Sequence, residues 1–166
     1  MNNAEKMQLT LELAEEAMEN GECPIAAIVF LGDEIIAKSY TSERADKRLL
    51  VHAELKALVE VDMKRYTSGE RRHMQLFTNL EPCMMCFGAA MSLFISEVHY
   101  ALESPSDGAV NIAKIWDPQS DDYPAYRLPK VYGGILRKNS QELFIRYTAT
   151  CEPGAIRDWA KSLTLL

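Results

Sequence analysis

Along the first twenty residues the apolar positions step by three and four: Ala4, Met7, Leu11, Ala14 and Met18. That period predicts an amphipathic helix over residues 4–19, stopped at Asn20-Gly21. In "PIAAIVFLGDEIIAKSYT" two apolar, β-rich runs flank Gly32-Asp33, which predicts an antiparallel hairpin. Helical spacing returns in "VHAELKALVEVDMKRY", where Ala53, Leu55, Leu58, Val59 and Met63 place a second helix that begins close to His52. "MQLFTN" reads as a short strand, Cys83 to Leu93 as a third helix, and "EVHYAL" as another strand. Strand and helix alternating in this way predict a layered α/β sheet with parallel members.

The pattern breaks between Ser104 and Lys130, where Asp107-Gly108, Asp117-Pro118, Tyr123-Pro124 and Leu128-Pro129 punctuate the chain. A loop of that length inside a compact domain is commonly a lid or a binding loop. Its aromatics Trp116, Tyr123 and Tyr126 are candidates either to stack on a substrate ring or to anchor the loop to the core. "KVYGGIL" then reads as the last strand. Two helices, 138–147 and 153–163, close the chain within residues 137–166, with Pro153 at the tolerated first-turn position. No repeat, low-complexity tract or linker divides residues 1–166, so one domain is expected.

Composition narrows the classes. With 48% apolar residues the chain can bury an ordinary core. A formal net charge of −6 disfavours broad, salt-driven attraction to nucleic-acid phosphates, which depends on a basic face. Two local basic clusters, Arg44-Lys47-Arg48 and Lys64-Arg65-Arg71-Arg72, read as solvated loop charges. No apolar run reaches the roughly 20 residues of a membrane span, and the N-terminus is unlike a signal sequence, so no membrane partner and a cytoplasmic location are expected. Four cysteines in a chain this long do not form a disulfide scaffold.

Their chemistry centres on "TNLEPCMMCFGAAM", in which Cys83 and Cys86 form a C-x-x-C pair. Such a pair serves as a redox dithiol, as half of a four-ligand structural zinc site, or as part of a catalytic metal site completed by histidine. Of the three histidines, His99 alternates with apolar neighbours on a predicted strand and His73 follows two arginines at a strand entry. His52 differs because it stands two positions from Glu54 at a helix start. Inside a helix, residues two apart point about 200° from each other, so His52 and Glu54 share a site only if it lies off the helix end. Cys83 and Cys86 open the next helix, where the helix dipole favours thiolate. A histidine and two thiolates leave a tetrahedral zinc one position for water or hydroxide, and Glu54 stands ready as proton carrier. A structural four-ligand site would need Cys23 or Cys151 as its fourth ligand, but each is single and reads as a small buried hydrophobe.

His52-Ala53-Glu54 followed by Pro82-Cys83-Met84-Met85-Cys86 resembles the zinc-dependent cytidine deaminase superfamily, whose pattern is H-x-E with P-C-x-x-C. "HAELKAL", "NLEPCMMCFGA" and "YGGIL" are similar to the branch of bacterial tRNA adenosine deaminases and guanine deaminases. The resemblance implies a three-layer α/β/α domain with a mixed five-stranded sheet, one zinc per chain on His52, Cys83 and Cys86, and Glu54 as the proton-transferring residue. It also implies that the Glu81 backbone carbonyl accepts a hydrogen bond from the departing amine and that the Ala53 amide faces a substrate acceptor. A homodimer is implied as well. Family members acting on tRNA adenosine usually carry asparagine where this chain has Thr41, and a small polar approach to H-A-E where it has Leu49-Leu50-Val51. The sequence therefore points first to hydrolytic deamination of a small amino-heterocycle, a free base or nucleoside. Anticodon adenosine deamination is the alternative, and a non-catalytic zinc- and purine-binding protein the third reading.

Overall fold

A capping box starts the first helix: the Asn2 side chain accepts from the Glu5 amide while the Glu5 carboxylate accepts from the Asn2 amide. The resulting helix α1, Asn3–Glu19, buries Met7, Leu11, Leu13, Ala14 and Ala17. Ala4 is exposed, and Lys6 is buried in its place. The Lys6 ammonium escapes an unpaired burial by donating to the Gly32 carbonyl (2.5 Å) and to Gln75 (2.8 Å). The computed structural model describes residues 1–117 and 126–166.

Strands β1 (Ala26–Leu31) and β2 (Glu34–Tyr40) form the expected hairpin about Gly32-Asp33, with Gly32 at φ +62°. Helix α3 (Ala53–Met63) follows, preceded by the one-turn helix α2 (Glu43–Asp46). The buried stripe of α3 is Ala53, Ala57, Leu58 and Val61. Val59 and Met63, which the period assigns to the core, are exposed. A further single turn, α4 (Ser68–Arg71), leads into β3 (Met74–Leu80), α5 (Met84–Ser92) and β4 (Glu97–Leu102).

The long segment after β4 is partly helical. Helix α6 (Val110–Lys114) packs Val110 and Ala113 against the same core as α3 and α5. The last strand, β5, is only Lys130–Tyr132. It stops there because Gly133 lies against the Tyr100 ring, where a Cβ would come within 2.3 Å of the ring, and Gly134 turns at φ +84°. Helices α7 (Arg137–Thr150) and α8 (Ala155–Leu163) close the fold. Pro153 precedes the α8 cap residue Gly154 and lies outside the first turn that the sequence assigns it.

The five strands are ordered β2-β1-β3-β4-β5. β1 is antiparallel to β2 and β3, whereas β3–β4 and β4–β5 are parallel, so the sheet is mixed as expected. Successive β1 residues face opposite layers. Ala27 and Val29 join the core under α3, α5 and α6, while Ala26, Ile28 and Phe30 pack with Met7, Leu11 and Leu143 of α1 and α7. His99 is the sheet histidine its neighbours predict. Its ring is sandwiched between Phe77 (4.2 Å) and Tyr132 (4.8 Å), with Nε2 3.0 Å from Glu97, and burial lowers its pKa. Among the described residues no helix is long and apolar enough to cross a membrane.

At the end of β3, buried Asn79 accepts from the Ala26 amide (2.8 Å) and donates to the Pro24 carbonyl (2.8 Å) and Ser140 (3.3 Å). Asn79→Ala would leave a buried N–H and C=O unpaired, each costing about 1–3 kcal/mol. In urea titration the midpoint should fall with an unchanged slope.

Candidate active site

Both helices of the site begin with a residue in extended conformation that is also a chemical group. His52, at φ −64° and ψ 149°, is the N-cap of α3, and Cys83, at φ −69° and ψ 171°, is the N-cap of α5. Neither side chain caps its own helix, so both are free to turn outward. Cys86 lies one turn into α5 and is fully buried. His52 Nδ1 stands 3.6 Å from Cys83 Sγ and 3.7 Å from Cys86 Sγ. All three donor atoms lie within 4.8 Å of one another.

These distances test the zinc expectation directly. With Zn–N near 2.0–2.1 Å, Zn–S near 2.3 Å and tetrahedral angles, nitrogen and sulfur ligands sit about 3.6 Å apart. The observed separations match that edge, and the donor set of one imidazole and two thiols suits zinc. Without metal the same closeness forces proton sharing. The Cys86 thiol and then His52 donate to Cys83 and hold its pKa down at about 4. His52 is raised to about 9, chiefly by its hydrogen bond to Cys83, and Cys86 is pushed far up by donating to Cys83 and by burial. Metal binding must therefore expel protons from His52 and Cys86, which makes it tighter as pH rises.

Glu54 follows two residues after His52 and is buried, with Thr78 Oγ1 donating to its carboxylate at 3.3 Å. Burial raises its pKa, which favours a carboxyl group able to hold a proton. A cavity of about 350 Å³ is lined by His52, Ala53, Glu54, Glu81, Cys83 and Thr41. The sequence-predicted residues of the metal and proton-transfer site thus meet at one hollow, of a size suited to a single small ring system.

The aromatic candidates do not join it. Trp116 and Tyr126 pack edge to face (6.0 Å between ring centres) and line a separate apolar groove with Met84, Phe87, Met91 and Ile112. Trp116 is brought there by α6, whose Val110 and Ala113 dock on the same core as α5. Tyr123 lies outside the described residues. The aromatic wall of the cavity is Trp159, with Ala155 and Ile156 beside it on α8. Trp159 packs edge to face on Phe144, and its Nε1 donates to Ser106 (3.1 Å). Glu43 and Asp107 also line the cavity, and neither stood out in the sequence beyond its loop.

Glu81 has a side-chain function that its motif position does not disclose. Its carboxylate accepts from the amides of Ser104 (3.0 Å) and Val110 (3.2 Å), so it staples the start of the long segment to the Pro-Cys step. Gly108 permits this approach, since a Cβ there would lie 2.4 Å from the Glu81 carboxyl carbon. The two basic clusters are separated. Arg44, Lys47 and Arg48 flank the cavity residues Glu43 and Leu49, whereas Lys64 and Arg71 lie beyond the other end of α3, about 15 Å along its axis. There they pair with Glu60 (2.7 Å) and Asp62 (2.9 Å).

A mixed sheet flanked by helix layers, with two helix N-termini aiming one histidine and two cysteines at a point, defines a zinc-binding deaminase domain. The chain belongs to the family described as the cytidine and deoxycytidylate deaminase zinc-binding region, whose model matches residues 1–102. It is 29% identical over 141 residues to a tRNA-specific adenosine deaminase of Agrobacterium fabrum, covering 85% of this chain and 90% of that one. A solved structure from work on A-to-I editing by tRNA:A34 deaminases has a TM-score of 0.69 at 29% identity, over 82% of this chain and 96% of the other. A guanine deaminase from Nitrosomonas europaea has a TM-score of 0.70 at 26% identity, over 89% and 85%.

Removing the metal supplies the check on the site. Cys86→Ser should lose stoichiometric zinc by elemental analysis. Chelation of the wild-type protein should lower its melting temperature, because a ligand that binds only the folded state stabilises it by mass action.

Proposed function

We propose that the protein is a zinc-dependent aminohydrolase that replaces an exocyclic amine on a nucleobase-type ring by oxygen, consuming water and releasing ammonia. The observation that supports this most directly is that buried Glu54 lines one cavity with His52 and Cys83, whose donor atoms cluster with that of Cys86. Zinc, when bound, supplies the Lewis acidity that brings the pKa of a water from about 15.7 towards about 7. The protein's own residues then manage position and protons. Glu54 would accept one proton of the attacking water and pass it to a ring nitrogen, then take the second from the hydroxyl so formed on the ring carbon and deliver it to the amine, which leaves as ammonia while the carbonyl forms. Its raised pKa suits a group that must alternate between the two states. The Glu81 carbonyl and the Ala53 amide flank the ring as hydrogen-bond acceptor and donor.

Two observations bear on the substrate and pull apart. The deaminase relatives above support adenosine in tRNA at least as well as a free base. The Arg44, Lys47 and Arg48 turn at the cavity rim gives that reading a phosphate-facing edge. The cavity itself favours a small amino-heterocycle. Its described lining includes the acidic residues Glu43, Glu54, Glu81 and Asp107 and no lysine or arginine, and residues 118–125 contain neither. Helix α8 stands over it with Trp159 as a flat wall. A homodimer built through the exposed apolar groove of Trp116 and Tyr126 would leave this cavity open to substrate.

The deciding assay measures ammonia release from zinc-loaded protein against free bases, nucleosides and an anticodon stem-loop RNA. Glu54→Gln should keep its zinc and lose about 10²–10⁴-fold in turnover on whichever substrate reacts. Full activity in that variant would rule out the proton-transfer assignment. Trp159→Ala should lower kcat/KM for a stacked ring by about 5- to 150-fold, the equivalent of about 1–3 kcal/mol of stacking. Trp116→Ala, in the other groove, should leave the ratio of kcat/KM between substrates unchanged.

A further inference from the structure

We infer that Glu43 is a positioning residue for the metal-binding histidine: its carboxylate accepts the Nε2–H of His52 and so turns the Nδ1 lone pair towards the two cysteine sulfurs. The inference rests on the zinc reading of the triad. A neutral imidazole carries one N–H and one lone pair, and a metal on Nδ1 requires the hydrogen on Nε2. The Nδ1 side of His52 is taken by Cys83 and Cys86 at 3.6 and 3.7 Å. On the Nε2 side stands Glu43 Oε1 at 3.6 Å, just beyond hydrogen-bond distance. A carboxylate on the far nitrogen fixes ring orientation and raises the basicity of the ligating nitrogen.

The placement of Glu43 is built into the fold. It is the first residue of α2, a single turn whose Arg44 and Ala45 amides donate to the carboxylate of Glu22 at 3.1 and 2.7 Å. Glu22 is itself buried, so this turn is tied to the α1–β1 connection by a charge removed from water. From the other side, Lys56 of α3 donates to Ser42 (2.9 Å) and to the Tyr40 carbonyl (3.0 Å), and the Ser42 amide donates to the Val51 carbonyl (3.2 Å). Thr41 Oγ1 reaches the second carboxylate oxygen of Glu43 at 3.4 Å. A turn anchored on both flanks therefore holds one oxygen at His52 and the other at Thr41. This assigns Thr41 a part in the support of the metal ligand.

Zinc affinity, measured by competition with a chromophoric chelator on the full chain, tests the inference. Wild type is compared with Glu43→Ala and Glu43→Gln, and the Nε2–H resonance of His52 is followed in the zinc-loaded proteins. Glu43→Ala should weaken zinc binding about 10- to 100-fold and shift or broaden that resonance. Glu43→Gln, which keeps a neutral acceptor, should fall between Ala and wild type. Equal zinc affinity in all three proteins overturns the inference, and if KM rises at the same time Glu43 acts on the substrate instead. If Glu43→Ala fails to fold, Glu43→Gln alone decides, with wild-type affinity and an unmoved resonance counting against the inference. A wild-type protein that takes up no zinc refutes the metal reading itself and is distinguishable from either result.

Discussion

The closeness of one imidazole nitrogen to two cysteine sulfurs is the constraint on which the surrounding structure depends. Three donors, the nitrogen 3.6 and 3.7 Å from the two sulfurs and all within 4.8 Å of one another, repel or share protons unless a cation joins them, so the fold must supply rigid elements that keep them there. It does so by starting α3 and α5 at the site and packing both on one face of the sheet, with Ala53, Ala57, Phe87 and Ala90 in a common core. Small residues at Ala53, Ala57 and Ala90 let the two helices and the sheet approach closely. The N-terminal ends of both helix dipoles then point at the place where thiolates and a carboxylate must coexist.

Around that point the buried polar groups act as ties between distant segments. Glu81 fastens residues 104–110 to the Pro-Cys step, Glu22 fastens the α2 turn to the α1–β1 connection, and Asn79 fastens β3 to the start of β1 and to α7. Each is buried, and each uses hydrogen bonds to otherwise unpaired backbone or hydroxyl groups. The consequence is that the loops forming the cavity are fixed from behind. The side chains of Glu43, Asp107 and Trp159 can then present a preformed surface to a ligand.

Much of this was legible because local rules and function coincide at His52 and Cys83. The same residues that end a loop and begin a helix carry the donor atoms, so a helix boundary and a ligand motif could be read from one stretch of sequence. The hairpin at Gly32-Asp33 was legible for a similar reason, since the turn demands a positive φ that glycine supplies. The face of α3 was misassigned at Val59 and Met63 because apolar residues also occupy its exposed side, and period alone does not say which stripe meets the sheet. Trp116 drew attention over Trp159 because it sits in a conspicuous loop. Trp159 reaches the cavity only through the packing of α8 on Phe144, a tertiary contact that no local pattern announces. Glu81 and Glu43 were hidden in the same way, because their roles depend on partners brought in from remote segments.

The disagreement over substrate has a physical form. Deaminating a base within RNA requires only the base to enter the cavity, while its phosphates stay at the rim. For such a substrate the cavity lining would meet the ring and the rim would meet the backbone. Glu43 and Asp107 line that cavity with their carboxylates already engaged, Glu43 by His52 and Thr41 and Asp107 by the hydroxyls of Ser104 and Ser106. The rim decides the polymer. Here one basic turn adjoins the cavity residues Glu43 and Leu49, while Lys64 and Arg71 of the second cluster are engaged in ion pairs at the far end of α3. Helix α8 completes the cavity on the other side, where Trp159 is held as its aromatic wall by packing on Phe144 and by donating to Ser106.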